Sequence, residues 1–395
     1  MILKNGATVH AKAPGKVLLM GGYAVLEKPN LGFVITVDAN AHAYITQRED
    51  YTVVLDSKQF GHAEGKVDKK TGRIEIDRCP KELVMLKTAL ELAMMYAVSL
   101  GAEVNGFNIT TACDPAFSYA PKGSRAINKS GLGSSAAITV AAIGGVLTCL
   151  GMSVKKDDVL HKLSQAAHSI ATGKVGSGFD IAAAVYGSVL YSRYSPEILE
   201  SFPKDYTPED VAALVKRKWD YEIRKVEIPR GFSLCFANIL GGSTSTTEFV
   251  KRVREMKVNK PQKYAEIMSV INSSTLKAIG ALKKMQDDAE GNATDANIAR
   301  FREAFNTGRL ATKELGTLAG VEIEADHFGE LIDVSMDNGA LVAKLPGAGG
   351  KDAIAALCRT EDDRKRLVDF WKGTGELQPM DINQEEGGYS YNIEN

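Results

Sequence analysis

The spacing of apolar and polar positions changes several times along this 395-residue chain, and each change marks an element. Thr8 to Ala13 and Lys16 to Met20 read as short strands on either side of Pro14-Gly15. Gly32 to Thr46 and Tyr51 to Leu55 continue a β-rich start, dense in Val, Ile, Thr and Tyr. Gly61 to Gly72 is polar and glycine-containing and predicts an exposed hairpin or loop. From Lys81 to Leu100 the apolar residues fall at helical spacing, with Gly101 placed as the stop. Gly106 to Ala112 returns to a strand pattern, and Ala136 to Leu150 is a long uncharged run of helix-compatible residues. Lys156 to Thr172 reads as a mixed polar and apolar helix, and Ser188 to Tyr191 as an apolar strand. Thr207-Pro208-Glu209-Asp210 starts another helix, with a capping side chain, proline at the first position and acids in the first turn.

Beyond Trp219 to Gly231 the pattern starts afresh. Phe232 to Ile239 has the composition of a buried strand, and Glu248 to Lys257 that of a basic helix. Helical patterns follow at Pro261 to Asp288, Asp295 to Leu315 and His327 to Met336. Gly339 to Leu345 reads as a strand, a glycine-rich turn follows, and after Asp352 the pattern predicts a short helix. Glu361 to Lys372 is a final amphipathic helix, and Gly387 to Asn395 is placed as an edge strand. Length alone favours two domains. The expected division is 1–225 and 226–395, in an α+β architecture.

Composition narrows the function classes. Hydrophobic residues make up 44% and charged residues 25% of the chain, ordinary globular values. A formal net charge of −1 gives no global field for nucleic acid or an anionic membrane, so an anionic partner must be attracted locally. The five cysteines are scattered, without a Cys-x-x-Cys pair, and the six histidines show no metal spacing, so reduced thiols are expected. Met1 to Gly15 has no signal-peptide pattern, which points to a cytoplasmic setting. Ser130 to Val154 carries no charge, yet it opens on glycines and serines and contains Gly144-Gly145, so a buried core helix is expected rather than a membrane span.

The stretch from Asn128 to Ala137 carries the chemistry. A glycine-rich turn that feeds a helix leaves backbone N–H groups without intrahelical partners, and the helix dipole adds partial positive charge there. Together they favour a phosphate. Ser134 and Ser135 can cap the helix, bind a phosphate oxygen or ligate Mg²⁺, and Lys129 can add a mobile positive charge. The alternative is a capped buried helix after a flexible turn. No Gly-x-x-x-x-Gly-Lys-Ser/Thr motif occurs in the chain.

Two more glycine-rich turns accompany this one: Pro14-Gly15-Lys16, and Pro346-Gly347-Ala348-Gly349-Gly350. In this order the three resemble the GHMP kinase superfamily over Ala13 to Asp352. Ala13 to Leu26 matches the first family motif, Gly131 to Ala137 the phosphate loop, and Pro346 to Gly350 the third motif. Gly21-Gly22-Tyr23, Gln165-Ala166-Ala167-His168, Gly173 to Asp180 and Gly242 to Thr246 are similar to the phosphomevalonate kinase branch.

The resemblance implies a two-domain fold, the N-terminal part like ribosomal protein S5 domain 2 and the C-terminal part ferredoxin-like. It also implies ATP and Mg²⁺, a small phosphorylated acceptor, and a monomer or homodimer that uses neither nucleic acid nor membrane. Nucleotide contacts then fall to Lys129, Gly131, Leu132, Gly133, Ser134, Ser135 and Ala136, with Ser135 also on the metal. Mevalonate-kinase-like members place a metal-binding glutamate where this chain has Ser169. Lys16 and Asp180 are the expected catalytic pair, against the alternatives of a solvated lysine and a first-turn acid. The acceptor falls to Lys16, Tyr23, Ser177, Asp180, Ser243, Thr244, Gly349 and Gly350. Other acceptors in the superfamily, mevalonate or a sugar, and a non-catalytic ligand-binding role are the competing expectations. The adenine site is sought near Asn108 to Ala120.

Overall fold

A computed structural model describes residues 6–119, 128–154, 158–242, 246–287 and 294–394. The first strand, β1 (Thr8–Met20), runs through Pro14-Gly15 without breaking. The two strands expected there are one, because the irregularity at Pro14/Gly15 is absorbed as a shift of register against β2 (Gly32–Gln47). The strands β3 (Thr52–Ser57), β4 (Gly61–Val67) and β5 (Ile74–Glu75) form an antiparallel run at one side, so the polar 61–72 stretch is a hairpin. After helix α1 (Val84–Ser99), β6 (Phe107–Cys113) lies between β2 and β3. A small hairpin of β7 (Ser118–Tyr119) and β8 (Asn128–Lys129) leads to α2 (Ser134–Cys149) and α3 (Val159–Thr172). Then come α4 (Phe179–Tyr186), β9 (Val189–Ser192), α5 (Glu197–Glu200), α6 (Pro208–Lys216) and β10 (Glu222–Lys225). The capping side chain expected at Thr207 is present, its hydroxyl accepting from the Asp210 N–H, and the Asp210 carboxylate accepts in turn from the Thr207 N–H to complete a capping box.

The large sheet runs β10-β9-β2-β6-β3-β4-β5, with β1 also on β2. The uncharged helix α2 lies against β1 and β2. Its glycine pair is explained by close approach. A Cβ on Gly145 would stand 2.1 Å from the Ile45 side chain, and one on Gly144 2.3 Å from the Tyr389 ring. No helix of the described residues is long and apolar enough to cross a membrane.

The second half begins with β11 (Ser233–Ile239), then α7 (Thr246–Asn259) and the long helices α8 (Pro261–Asp287) and α9 (Asp295–Ala319). It continues with α10 (Asp326–Asp337), β12 (Val342–Lys344), β13 (Ala353–Cys358), α11 (Glu361–Gly373) and β14 (Leu377–Pro379). These strands make a sheet of order β12-β13-β11-β14.

The helix expected after Asp352 is therefore a strand. Its run Ala-Ile-Ala-Ala-Leu-Cys is apolar throughout, a pattern shared by buried strands and short buried helices. What decides is packing on both faces. Ala353, Ala355 and Leu357 join the core shared with the first half, whereas Ile354, Ala356 and Cys358 join a second core beneath α10 and α11. Finally β15 (Gln384–Glu385) pairs with β2 and β16 (Ser390–Glu394) pairs with β1. The expected edge strand is present, and the tail of the 226–395 half thus belongs to the sheet of the first half.

Candidate active site

The phosphate loop is shaped by backbone. Gly131 and Gly133 both sit at positive φ, +71° and +84°. Gly133 is the N-cap of α2 and supplies no side chain to its first turn, so the cap expected of Ser134 or Ser135 is absent and both hydroxyls lie within the helix. Leu132, 1% exposed, anchors the loop in the core, and Ala136 is buried too, so only its backbone can serve a ligand. The loop is tied to β1 through Lys16. The Lys16 N–H donates to the Leu132 carbonyl at 2.9 Å, and its Nζ donates to the Gly131 carbonyl at 2.7 Å. A Cβ on Gly133 would stand 3.0 Å from Lys16 Cε.

Asp180 enters from α4, whose N-cap is Gly178 at φ +80°. Its Oδ1 accepts from the Ile181 N–H at 3.0 Å. The Phe179 ring centroid lies 5.5 Å from Lys16 Nζ. Burial lowers the Lys16 pKa, and the negative charge of Asp180 partly opposes that shift. The lysine expected as a solvated or active-site residue is thus a partly desolvated one, in the field of the aspartate and bonded to the phosphate loop.

Beside this loop lies a cavity of about 210 Å³, bounded by Phe60, Leu83, Leu86, Thr111, Lys129, Ser134 and Ser135 among others. Thr111 falls in the stretch where an adenine site was sought, and Lys129 reaches the cavity from the β7–β8 hairpin. Phe60 and the α1 residues were missed. The apolar spacing of α1 marks a helix but does not say which face meets a ligand.

On the other side, the first and third motifs meet. Tyr23, 4% exposed and at φ +62°, donates its hydroxyl hydrogen to the Ala348 carbonyl at 2.8 Å. A Cβ on Gly22 would lie 2.9 Å from the Gly347 carbonyl oxygen. Gly350 N–H donates to the Ile323 carbonyl at 2.8 Å, and a Cβ on Gly349 would come within 2.3 Å of that same oxygen. Pro346 to Gly350 leads into β13 rather than the expected helix. The turn at Gly241-Gly242 abuts Lys351, whose carbonyl oxygen a Gly242 Cβ would meet at 1.8 Å. Ser243 and Thr244, expected beside it, lie outside the described residues. Two basic residues of α7 engage its own acids, Arg252 with Glu248 at 3.0 Å and Lys251 with Glu255 at 3.9 Å, both exposed, whereas Lys257 reaches Glu27 at 2.8 Å.

Arg193, which the sequence did not single out, and Gln165, which entered only as part of the matched Gln165 to His168 stretch, are both buried and hold the turn before Asp180. Arg193 Nη2 donates to the Gly176 carbonyl at 2.9 Å, and Gln165 Nε2 donates to the Gly178 carbonyl at 2.8 Å. Ser177 lies between them.

Comparison with known proteins agrees with this geometry. Residues 88–188 match the family described as GHMP kinases N terminal domain, and 297–377 match GHMP kinases C terminal. A phosphomevalonate kinase of Gibberella zeae is 30% identical over 94% of this chain and 92% of its own length. The chain belongs to the GHMP kinases, on their phosphomevalonate kinase branch. A phosphomevalonate kinase of Candida albicans is 28% identical over 87% of this chain and 88% of its own. The solved structure of Streptococcus pneumoniae phosphomevalonate kinase in complex with phosphomevalonate and AMPPNP superposes with a TM-score of 0.73, at 19% identity, covering 95% of this chain and 99% of the other. The two-domain GHMP kinase fold expected from the three motifs is the fold observed.

Phosphoryl-transfer enzymes commonly place a divalent cation beside the transferred group. Among the described residues no group of three His, Cys, Asp or Glu could hold one alone. Ser169, at the position of the family's glutamate, is in the last turn of α3. The hard oxygen donors beside the loop are the Ser134 and Ser135 hydroxyls, which line the cavity there. This set suits Mg²⁺, which keeps several waters and takes few protein ligands.

Proposed function

We propose that this GHMP kinase transfers the γ-phosphoryl group of ATP to the phosphate of (R)-5-phosphomevalonate, giving 5-diphosphomevalonate and ADP. The observation that carries the reading is Lys16, which bonds to the phosphate loop by both backbone and side chain and feels the charge of Asp180. It stands where an incoming anion must approach a polyphosphate.

In this reading the first-turn N–H groups at Ser134, Ser135 and Ala136 hold nucleotide phosphates, and Gly131 to Gly133 let them approach. Lys129 adds charge from the hairpin. Ser135 would hold Mg²⁺, which would supply charge neutralisation on the phosphates when bound. Lys16 offsets repulsion between the acceptor and the γ-phosphoryl oxygens. An arriving anion also favours the protonated state that burial disfavours. The acceptor phosphate has a second pKa of about 6, so it is largely a dianion at neutral pH. Asp180 then orients Lys16 and the acceptor and need not remove a proton. Tyr23, Ser177, Gly349 and Gly350 shape the acceptor side, and Ser243 with Thr244 extend it.

The test is kcat/KM for phosphomevalonate, mevalonate, galactose and homoserine at fixed ATP and Mg²⁺. A site built to pair with a phosphate rejects an acceptor lacking one, by up to about 10⁴-fold. Equal or better use of mevalonate would overturn the acceptor and leave the kinase reading standing.

A further inference from the structure

Arg193 follows β9 and is 5% exposed, yet nothing in the reaction outlined above uses it. Its Nη1 donates to the Leu26 carbonyl at 2.7 Å and its Nη2 to the Gly176 carbonyl at 2.9 Å. Among the described residues its Nε has no partner, and no carboxylate pairs with it. A buried guanidinium without a counter-ion is costly, and two neutral carbonyls do not cancel its charge. Where those carbonyls lie is informative. Leu26 ends the short helical turn that starts at Tyr23. Gly176 opens the turn that carries Ser177 and delivers Asp180 to the start of α4. Gln165 secures the far side of this second turn, donating to the Gly178 carbonyl at 2.8 Å. Neither Arg193 bond is to the phosphate loop.

We infer that Arg193 is a positioning residue for the acceptor half of the site. One planar fork joins the Tyr23 segment to the Ser177–Asp180 segment, two pieces of chain about 150 residues apart (Leu26 to Gly176). The Tyr194 ring, its centroid 5.9 Å from the guanidinium carbon, flanks the fork. The inference rests on the kinase reading and deepens it.

Arg193→Met and Arg193→Lys are compared with the wild type, varying acceptor at saturating ATP and ATP at saturating acceptor. Losing both charge-assisted bonds should lower kcat/KM for the acceptor by roughly 10- to 100-fold. The KM for ATP should stay within about twofold, because the phosphate loop keeps all its contacts. Arg193→Lys keeps the charge but reaches a single carbonyl, so it should recover part of the loss, and it remains a measurable arm if the methionine variant fails to fold. Parallel losses for ATP and acceptor in either variant, or acceptor kinetics equal to wild type, would overturn the inference. The acceptor panel on the wild type tests the substrate independently, since the same split can be read with whichever acceptor is used.

Discussion

The two halves of this active site are built by different means. In the proposed reading the nucleotide half is one continuous piece of chain, β8 to α2, whose ligand groups would be backbone N–H donors at a helix start. Its only distant tie described above is Lys16. The acceptor half is assembled from segments far apart: Gly21 to Leu26, Gly176 to Asp180, and Pro346 to Gly350. It is held by buried polar contacts, Tyr23 to Ala348, Arg193 to Leu26 and Gly176, and Gln165 to Gly178. A phosphate needs little beyond exposed N–H groups and space, which a loop of glycines provides by itself. An acceptor must be told apart from its relatives, and that requires groups placed in three dimensions by packing. Lys16 joins the halves, since it is bonded to one and lies in the field of the other.

Breaking that junction should have the largest effect. Lys16→Met keeps the volume of the stem and removes the charge, so kcat should fall by roughly 10²- to 10³-fold, the scale of a lost preorganised electrostatic contact. The circular dichroism spectrum and the cooperativity of melting should stay close to wild type. A fall of less than about threefold would show that the anions are stabilised elsewhere and that the two halves do not meet at Lys16.

Gly133→Val acts first on the nucleotide half. A β-branched residue is strained at φ +84°, and its Cβ would press on Lys16 at 3.0 Å. ATP binding, read by calorimetry with a non-hydrolysable analogue, should weaken by about tenfold or more, the result of strain on the order of 1–3 kcal/mol. A folded variant that binds the analogue normally would remove the loop from the nucleotide site.

This contrast also explains what was legible in the sequence. The phosphate loop was legible because its function is local: glycines at set spacing, then a helix. The edge strand at the tail and the capped start of α6 were legible for the same reason. The β13 strand was not, since Ala353 to Cys358 has no polar face to reveal its period, and only the two cores on either side of it decide. Arg193 was not, because nothing along Tyr-Ser-Arg-Tyr marks an arginine as buried, and Gln165 was matched only by resemblance, without its bond to the Gly178 carbonyl. Tyr23 was placed near the acceptor by resemblance, but its bond to Ala348, 325 residues away, needed the fold.

The scaffold behind the acceptor half carries a buried cation of its own. Lys344 ends β12, two residues before Pro346, and is 6% exposed. Burial lowers its pKa to about 8, an effect that Glu324 opposes and Arg309 reinforces. In the unfolded chain its pKa is near 10.5. Between pH 8 and 10.5 the unfolded state therefore binds more protons, and stability contributed at this site rises with pH. Below pH 8 the folded state bears the full cost of a charged buried lysine, roughly 3 kcal/mol. Lys344→Met should raise the urea midpoint at pH 7 and flatten the rise between pH 8 and 10.5, with KM for ATP unchanged. A lower midpoint at pH 7 together with an unchanged pH slope would mean that Lys344 is paired and charged in the folded state.

Tyr23→Phe is the finest probe of the difference between the halves. The substitution keeps the ring, the buried packing and the unusual backbone conformation, and deletes only the hydroxyl that donates to the Ala348 carbonyl. That carbonyl then loses its donor inside the site, at a cost of about 1–3 kcal/mol if water does not replace it. Because the bond fastens the first motif to the third, the cost should appear where those motifs meet. KM for the acceptor should rise about 5- to 10-fold, with KM for ATP and the temperature of the melting midpoint little changed. An equal rise in both KM values would show that the Tyr23–Ala348 bond stiffens the whole cleft, and that the halves are one mechanical unit. A rise confined to the acceptor would show that specificity resides in a contact between segments that only the folded chain brings together.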